Sequence, residues 1–235
     1  EHWQQLLMCY EKTGNTQKMA EIDPKIVELD KKDVDSRRRL VESSLAQKDS
    51  SRAYDLSKEL AILTPSDPKV FKTLYQIAYA RGGLKDAVLY LKNYLVLDSS
   101  NAVPFKLLGD LLYEQKDTDE ALEAYRRALR IDQSIKGFYK RYEEMVLAKG
   151  LEKEAVKVIR GAIAAGEANA QSYIALGNIY KKEKDFPNAV KMYQEALKTE
   201  TSNLELLRSL GACQAKSGDA KGAIVTYEQI VLMDP

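Results

Sequence analysis

The sequence contains few of the residues that build catalytic, metal or disulfide sites. Its 235 residues include one histidine, His2, and two cysteines, Cys9 and Cys213. A single histidine near a chain end forms no Ser-His or Cys-His pair in a rigid region, and His2 with Cys9 provides too few ligands for a metal ion. Gly82-Gly83 lacks the Gly-Lys-Ser/Thr pattern of a phosphate loop. We therefore expect no catalytic, metal or cofactor-binding residues, and a chain that is not an enzyme.

An excess of charge of one sign and long apolar runs are also absent. Lys and Arg total 36 against 35 for Asp and Glu, so the formal net charge is +1. This balance gives no bulk electrostatic reason to bind nucleic acid or an anionic membrane. No apolar run approaches the roughly 18–20 residues that span a bilayer. We expect neither nucleic-acid binding nor membrane insertion, and the compartment stays undetermined.

The most informative feature that the sequence does contain is one residue type at a fixed interval. Six alanines recur every 34 residues without an insertion or deletion, and one further step back reaches Met19. A fixed period of this size indicates an array of repeated units rather than one globular domain. The alanines are Ala53, Ala87, Ala121, Ala155, Ala189 and Ala223.

Each repeat contains the pattern of two helices. With the alanine at position 20 of the repeat, apolar residues recur at positions 4, 7 and 11, and again at positions 20, 24, 27 and 28. These are two helical stripes, which predict two amphipathic helices of about 12–14 residues, joined by a short turn. Glycine at position 15 of four repeats supplies the left-handed residue that ends a helix. We predict a single array with repeats at residues 1–33, 34–67, 68–101, 102–135, 136–169, 170–203 and 204–235.

Two repeats show the pattern most completely, with an aromatic residue, Leu-Gly, and then small and aromatic residues in the second helix. The residues are Phe105, Leu108, Gly109, Ala121, Tyr125 and Ala128 in one, and Tyr173, Leu176, Gly177, Tyr180, Ala189, Tyr193 and Ala196 in the other. This pattern resembles the tetratricopeptide repeat, and the likeness extends over essentially the whole chain. The resemblance implies an all-α, right-handed α-solenoid of antiparallel helix pairs, with a concave groove lined by the first helices.

The first two repeats depart from this pattern. Pro24 falls inside the second helix of the first repeat, where proline costs about 3 kcal/mol or more, so we expect that helix to be kinked or to start late, near Asp23. The second repeat has Arg37, Ser44 and Ser57 at positions that are apolar elsewhere. We expect it to be the least stable segment.

The family's groove is formed by repeat positions 2, 5, 6, 9, 12 and 13. Position 5 is basic in five repeats and position 6 in two, which predicts a basic ladder along one wall of the groove. Position 12 adds two tyrosines, and position 9 adds an asparagine of the kind that holds peptide backbone in this family. The candidate partner-binding residues are Arg38, Arg39, Lys72, Tyr79, Lys106, Tyr113, Lys140, Arg141, Asn178 and Arg208.

Two interpretations of this basic ladder remain open. Acidic residues at position 9 lie one helical turn after several of the bases, and such pairs would make a self-neutralised, solvated face. In the other interpretation the groove binds an acidic or carboxylate-ended peptide, because Lys72 faces Gln76, and Arg39, Arg141 and Arg208 have no obvious partner. The tyrosines allow the same choice between binding a partner and packing on the adjacent helix.

These features predict a protein–protein interaction scaffold that binds a peptide or partner protein in the groove or on the convex face. The alternative is the targeting or substrate-recruiting region of a larger enzyme, or of a cell-envelope or secretion assembly. The sequence starts within a repeat, and no polar capping helix follows Ala223, Tyr227 and Ile230. We therefore expect a part of a longer protein, or end-to-end self-association through the uncapped last repeat.

Overall fold

The fold consists of helices joined by short turns. A computed structural model describes residues 2–234; Glu1 and Pro235, the first and last residues of the predicted array, lie outside the described residues. Residues 2–234 form fourteen α-helices and no strand. The helices are α1 (His2–Thr13), α2 (Thr16–Leu29), α3 (Val34–Ala46), α4 (Ser50–Leu63), α5 (Pro68–Ala80), α6 (Leu84–Leu97), α7 (Ala102–Glu114), α8 (Thr118–Ile131), α9 (Tyr139–Ala148), α10 (Glu152–Ala165), α11 (Ala170–Lys182), α12 (Phe186–Leu197), α13 (Leu204–Ser217) and α14 (Ala220–Met233).

The helices belong to two compact units, of which the first ends at Asp117 and the second begins at Thr118. In the first unit, α1 to α7 pack mainly against the helix before and the helix after them in the chain. In the second unit, α8 to α14 pack in the same way. Packing between neighbouring elements is the pattern of an all-α helical solenoid, which the 34-residue period predicts.

The periodic alanines lie in the core of both units. Five of them have no exposed surface, and Ala223 is 5% exposed. Gly177 and Gly211, at repeat position 8, permit a similarly close approach. A Cβ atom on Gly177 would lie 2.6 Å from the ring of the fully buried Tyr193. The alanines and these glycines are therefore close-packing positions, and the neighbour of Gly177 is the aromatic residue at position 24 of the same repeat.

The turn between the two helices of a repeat has one conformation throughout. Position 15 has a positive φ in all seven repeats, between 61° and 89°. Glycine was expected to supply this left-handed residue, and three lysines adopt it as well, although the conformation costs a residue with a Cβ atom roughly 1–2 kcal/mol. The residues are Gly14, Lys48, Gly82, Lys116, Gly150, Lys184 and Gly218.

The second helix of the first repeat does not start late. α2 begins at Thr16 and continues through Pro24. The side chain of Asn15 accepts a hydrogen bond from the Lys18 amide over 3.1 Å, and this cap fixes the start of the helix. The expected start near Asp23 is therefore wrong, and the other alternative, a kink at Pro24, stays a prediction.

The polar residues of the second repeat are buried and have partners. Arg37 is 4% exposed, and its guanidinium donates to Glu59 over 3.1 Å and to the Asp33 carbonyl over 3.1 Å. Ser44 and Ser57 each donate over 2.7 Å to the backbone carbonyl four residues earlier. These bonds offset the desolvation of the polar groups. The low stability of this repeat stays a prediction.

Candidate protein-binding surfaces

Three members of the basic ladder lie at the same position on the first helices of three successive repeats in the first unit. They are Arg38 on α3, Lys72 on α5 and Lys106 on α7. Lys72 and Lys106 each follow a buried aromatic core residue, Phe71 and Phe105. Because adjacent residues on a helix point about 100° apart, burial of the phenylalanine directs the following lysine away from the core.

Two of these bases are paired with aspartates. Arg38 donates to Asp67 over 2.8 Å, and Asp67 caps the start of α5. Lys106 lies 3.4 Å from Asp110, one turn further along α7. The predicted pairing between positions 5 and 9 is thus confirmed for Lys106 and Asp110, whereas Arg38 pairs with a residue at the end of its own repeat.

Lys72 is exposed, and its charge acts on Asp98, the residue that follows α6. Hydrogen bonds from the Ser100 side chain, the Tyr94 hydroxyl and the Ser100 amide hold the pKa of Asp98 below its usual range, and the charge of Lys72 contributes. Asp98 therefore stays ionised near Lys72. Asp67, Asp98 and Asp110 therefore partly neutralise the ladder in the first unit.

The three arginines that were expected to lack partners all have them. Arg39 donates to both carboxylate oxygens of the fully buried Asp23, with Nη2 at 2.7 Å. Arg208 donates to Asp234 over 3.0 Å, and Arg141 also interacts with another residue. The expectation is wrong because it considered partners on the same helix only. Asp23 comes from the preceding repeat, and Asp234 follows the second helix of the repeat that contains Arg208.

The remaining candidates differ in exposure. Tyr79 is 50% exposed, Tyr113 is partly buried, and Lys140 is exposed in the first turn of α9. Asn178 is exposed on α11, and its side-chain oxygen accepts a 2.8 Å hydrogen bond from the Tyr193 hydroxyl. Burial raises the pKa of Tyr193 to about 12, so this hydroxyl keeps its proton at neutral pH. The bond orients Asn178 and leaves its amide nitrogen to donate to a ligand.

Asn178 lies in a basic cleft of the second unit that the sequence interpretation missed. This open cleft, of about 460 Å³, is formed by the end of α11, the following turn, the start of α12 and the end of α13. We call it the lysine cleft. Its residues are Asn178, Lys181, Lys182, Lys184, Phe186 and Lys216.

The lysines of the cleft are incompletely neutralised. Lys182 pairs with Glu152 over 2.5 Å. Lys181 lies 3.4 Å from the Ser209 hydroxyl, and the ammonium of Lys216 lies 5.4 Å from the centre of the Phe186 ring. These last two contacts are with uncharged groups, so the cleft keeps a positive potential that suits a carboxylate.

A smaller cleft of about 290 Å³ shares Asn178 and Lys182 with the lysine cleft. It adds the apolar side chains of Leu147, Ala175 and Ile179. Basic and apolar groups therefore lie next to one another on either side of Asn178. Lys181, Lys182 and Lys216 occupy positions 12 and 13, which the family's groove uses, and this was the sequence signal that could have identified the cleft.

The rest of the described chain provides little for other chemistry. Residues 2–234 contain no group of three or more His, Cys, Asp or Glu side chains arranged to hold a metal ion. None of the fourteen helices has both the length and the apolar character needed to cross a bilayer. Cys9 is exposed and Cys213 is buried, and neither forms a disulfide.

Comparison with known proteins gives matches in family and fold. The family model described as tetratricopeptide repeat matches residues 104–135 and 170–203, which are the predicted fourth and sixth repeats to within two residues. A comparison with curated protein sequences gives no match.

Several solved structures are similar to the chain. YrrB, described as a TPR protein with an unusual peptide-binding site, has a TM-score of 0.55 and 17% identity, over 81% of this chain and 98% of that one. The structure of Naa15/Naa10 bound to HypK-THB has a TM-score of 0.55 and 19% identity, over 83% of this chain and 30% of that one. MamA from Desulfovibrio magneticus RS-1 has a TM-score of 0.47 and 20% identity, over 71% of this chain and 94% of that one.

The first two likenesses concern the fold, which is the all-α helical solenoid already described. The family matches agree in phase with the 34-residue period, the buried alanines and the left-handed turns. The fold is one that typically serves as a non-catalytic scaffold for protein–protein interaction. The chain contains tetratricopeptide repeats at residues 104–135 and 170–203, within an all-α helical solenoid.

Proposed function

We propose that the chain binds an acidic peptide segment of a partner protein, and that the lysine cleft is the principal contact. The observation that supports this most directly is the grouping of four lysines around Asn178, of which Lys182 is paired with a carboxylate, that of Glu152. Carboxylates of a peptide accept charge-assisted hydrogen bonds from lysine, and the Asn178 amide nitrogen donates to a peptide carbonyl. The adjoining apolar cleft accommodates an aliphatic side chain of the same peptide.

The fold and the basic ladder agree with this proposal. The similar YrrB structure is described as having a peptide-binding site, so a peptide site occurs on this fold. Lys72 and Lys140 are exposed ladder residues that add positive charge in the two units. In this proposal the chain acts as a scaffold without a catalytic role, as is typical of this repeat fold.

Reversal of charge in the lysine cleft is expected to weaken binding of an acidic peptide. The probe is a fluorescein-labelled peptide of alternating glutamate and leucine, and fluorescence anisotropy at 50 mM and 150 mM salt gives its Kd. We expect Lys181→Glu with Lys216→Glu to raise the Kd at least tenfold, about 1.4 kcal/mol. Screening should reduce the difference at the higher salt concentration.

A matched control has the same change in net charge outside the cleft. Lys191 and Lys221 are exposed lysines of the second unit that do not line it. Lys191→Glu with Lys221→Glu is expected to change the Kd less than threefold. A third variant, Lys72→Glu, Lys106→Glu and Lys140→Glu, measures the ladder. Equal weakening by the cleft variant and the control would contradict the proposal, because it would indicate an effect of net charge alone.

We also propose that the outer face of α14 can bind a second copy of the chain. Val231 and Leu232 are 62% and 84% exposed, and Ile224 on the same helix is 57% exposed. Burial of such side chains provides about 25 cal/mol per Å². Sedimentation velocity from 5 to 500 μM should show association that Val231→Lys with Leu232→Lys abolishes. A strict monomer over this range would contradict self-association and leave the peptide proposal intact.

A further inference from the structure

Position 21 of the repeat, directly after the periodic alanine, is bulky in all repeats except the first. Six repeats have tyrosine, valine, leucine or isoleucine there, and the first has Ala20. The missing volume lies at the joint between α2 and the following repeat. The bulky residues are Tyr54, Val88, Leu122, Val156, Val190 and Ile224.

The facing helix α3 is also short of apolar volume at this joint. Position 10 is a buried apolar residue in the next four repeats, Ile77, Leu111, Met145 and Ile179, and it is Ser43 in the second repeat. The combined loss leaves an open cleft of about 710 Å³ between α2, α3 and the start of α4. We call it the serine cleft. Its lining includes Met19, Ala20, Ser43, Leu40, Gln47 and Arg52.

One repeat further along, the chain fills the equivalent space with its own tyrosine. The Tyr54 ring lies with its centre 5.2 Å from the Arg81 guanidinium carbon and 6.1 Å from the Tyr90 ring, edge to face. Its hydroxyl donates to Asp86 over 2.8 Å. The side chain is thus held by an aromatic edge, a cation and an acceptor at its tip.

The repeat register shows what surrounds the empty position. Counting back 34 residues, Ala20 replaces Tyr54, Gln47 replaces Arg81, and Arg52 replaces Asp86; all three line the serine cleft. Arg52, a hydrogen-bond donor, therefore lies at the repeat position where Asp86 accepts the hydrogen bond from Tyr54 one repeat later. Within residues 2–234 the guanidinium of Arg52 has neither a hydrogen bond nor an ion pair.

The chain itself shows how arginine binds a phenol. In the second unit, Arg160 donates to the Tyr180 hydroxyl oxygen over 3.1 Å from Nε and 2.6 Å from Nη2. Two carboxylates also line the serine cleft, Glu42 and Glu21, and Glu21 is paired with Lys18 over 2.6 Å. Arg39 also lines the cleft and is paired with Asp23. Glu42 and Arg52 then leave the cleft with one charge of each sign, so an uncharged phenol suits it better than an anion.

We propose that the serine cleft binds a tyrosine side chain presented by a partner peptide. The ring takes the place that Tyr54 occupies one repeat later, against Met19 and Leu40, and the hydroxyl oxygen accepts from Arg52. This specificity rests on the proposed role of the chain as a peptide-binding scaffold. It is a separate site, in the first unit, from the acidic-peptide site proposed in the second.

The experiment titrates the chain with N-acetyl-tyrosinamide and, separately, N-acetyl-phenylalaninamide, and follows the Met19 methyl signal by NMR of methyl-labelled protein. We expect a saturable shift with the tyrosine probe and at least threefold weaker binding of the phenylalanine probe. Arg52→Gln should remove this preference. Ala20→Tyr, which fills the serine cleft as Tyr54 fills the equivalent space one repeat later, should weaken binding of the tyrosine probe at least tenfold.

The control for Ala20→Tyr is Ala80→Tyr, the same change at an exposed position outside the cleft. It should leave the tyrosine probe unaffected. No saturable shift of Met19, or a shift that persists in folded Ala20→Tyr, would overturn the proposal. If Ala20→Tyr does not fold, equal affinity for the two probes, or a preference that Arg52→Gln leaves unchanged, overturns it. Binding of the acidic peptide to the same variants, measured in parallel, separates failure of this site from failure of the proposed function.

Discussion

Replacement of Arg39 by methionine is expected to destabilise the α2–α3 pair by about 3–5 kcal/mol. Asp23 has no exposed surface, and the Arg39 guanidinium donates three hydrogen bonds to it. Methionine retains much of the side-chain volume but leaves a buried carboxylate without its counter-charge. The hydrogen bonds to Asp23 raise the pKa of Arg39 above its ordinary value, so the guanidinium keeps its charge beside the buried carboxylate.

The neighbouring Arg38 gives the control for this prediction. Its side chain is 45% exposed and pairs with Asp67, so Arg38→Met should cost less than about 1 kcal/mol. Asp23→Leu combined with Arg39→Met should recover most of the loss, because it replaces the buried ion pair with apolar groups.

Hydrogen exchange of the α2 and α3 amides is the appropriate measurement, since an array of repeats need not unfold in one step. Protection of α2 and α3 that is equal in Arg39→Met and Arg38→Met would contradict the structural role of Arg39. The same experiment bears on the basic ladder. If Arg39 holds the first two repeats together, a loss of binding in an Arg39 variant reports unfolding, so Lys72, Lys181 and Lys216 are the residues with which to test recognition.

The parts of this structure that follow from sequence are the local ones. The alanine period places the helix pairs, and position 15 places the turns, because both depend on contacts within one repeat. The turn also shows where residue type was a weaker guide than register. Lys48, Lys116 and Lys184 adopt the left-handed conformation of the glycines, since the helix geometry on both sides imposes it.

Contacts between residues on different helices were harder to predict. Arg39 pairs with Asp23 sixteen residues earlier, and Arg38 pairs with Asp67 twenty-nine residues later. Both aspartates are visible as charged residues in the sequence, and Asp23 even lies at a core position. Only the packing of α2 on α3 and of α4 on α5, however, determines which arginine pairs with which aspartate. The lysine cleft combines three helices and a turn, so no single helical face shows it.

The same reasoning about packing predicts opposite outcomes for one substitution at two equivalent glycines. Alanine in place of glycine stabilises an exposed helix interior by about 1 kcal/mol. At Gly177 a Cβ atom would lie 2.6 Å and 2.8 Å from Cε1 and Cδ1 of Tyr193, which is fully buried and held through its hydroxyl by Asn178. Overpacking of this kind costs about 1–3 kcal/mol, so we expect Gly177→Ala to destabilise the second unit by up to about 2 kcal/mol after the helix gain.

Gly211→Ala is the matched substitution, because Gly211 has the same repeat position in the next repeat. Its Cβ atom would lie 3.1 Å from Cζ of Tyr227, and that ring is 43% exposed, so it can move into solvent. We expect Gly211→Ala to be neutral or to stabilise by up to about 1 kcal/mol. Urea unfolding followed by circular dichroism, with hydrogen exchange of the α11–α12 and α13–α14 amides, measures both variants. If the two substitutions change the free energy of unfolding equally, position 8 requires glycine for its backbone conformation. If the two changes differ by about 2 kcal/mol, the immobility of the facing tyrosine determines whether alanine is tolerated there.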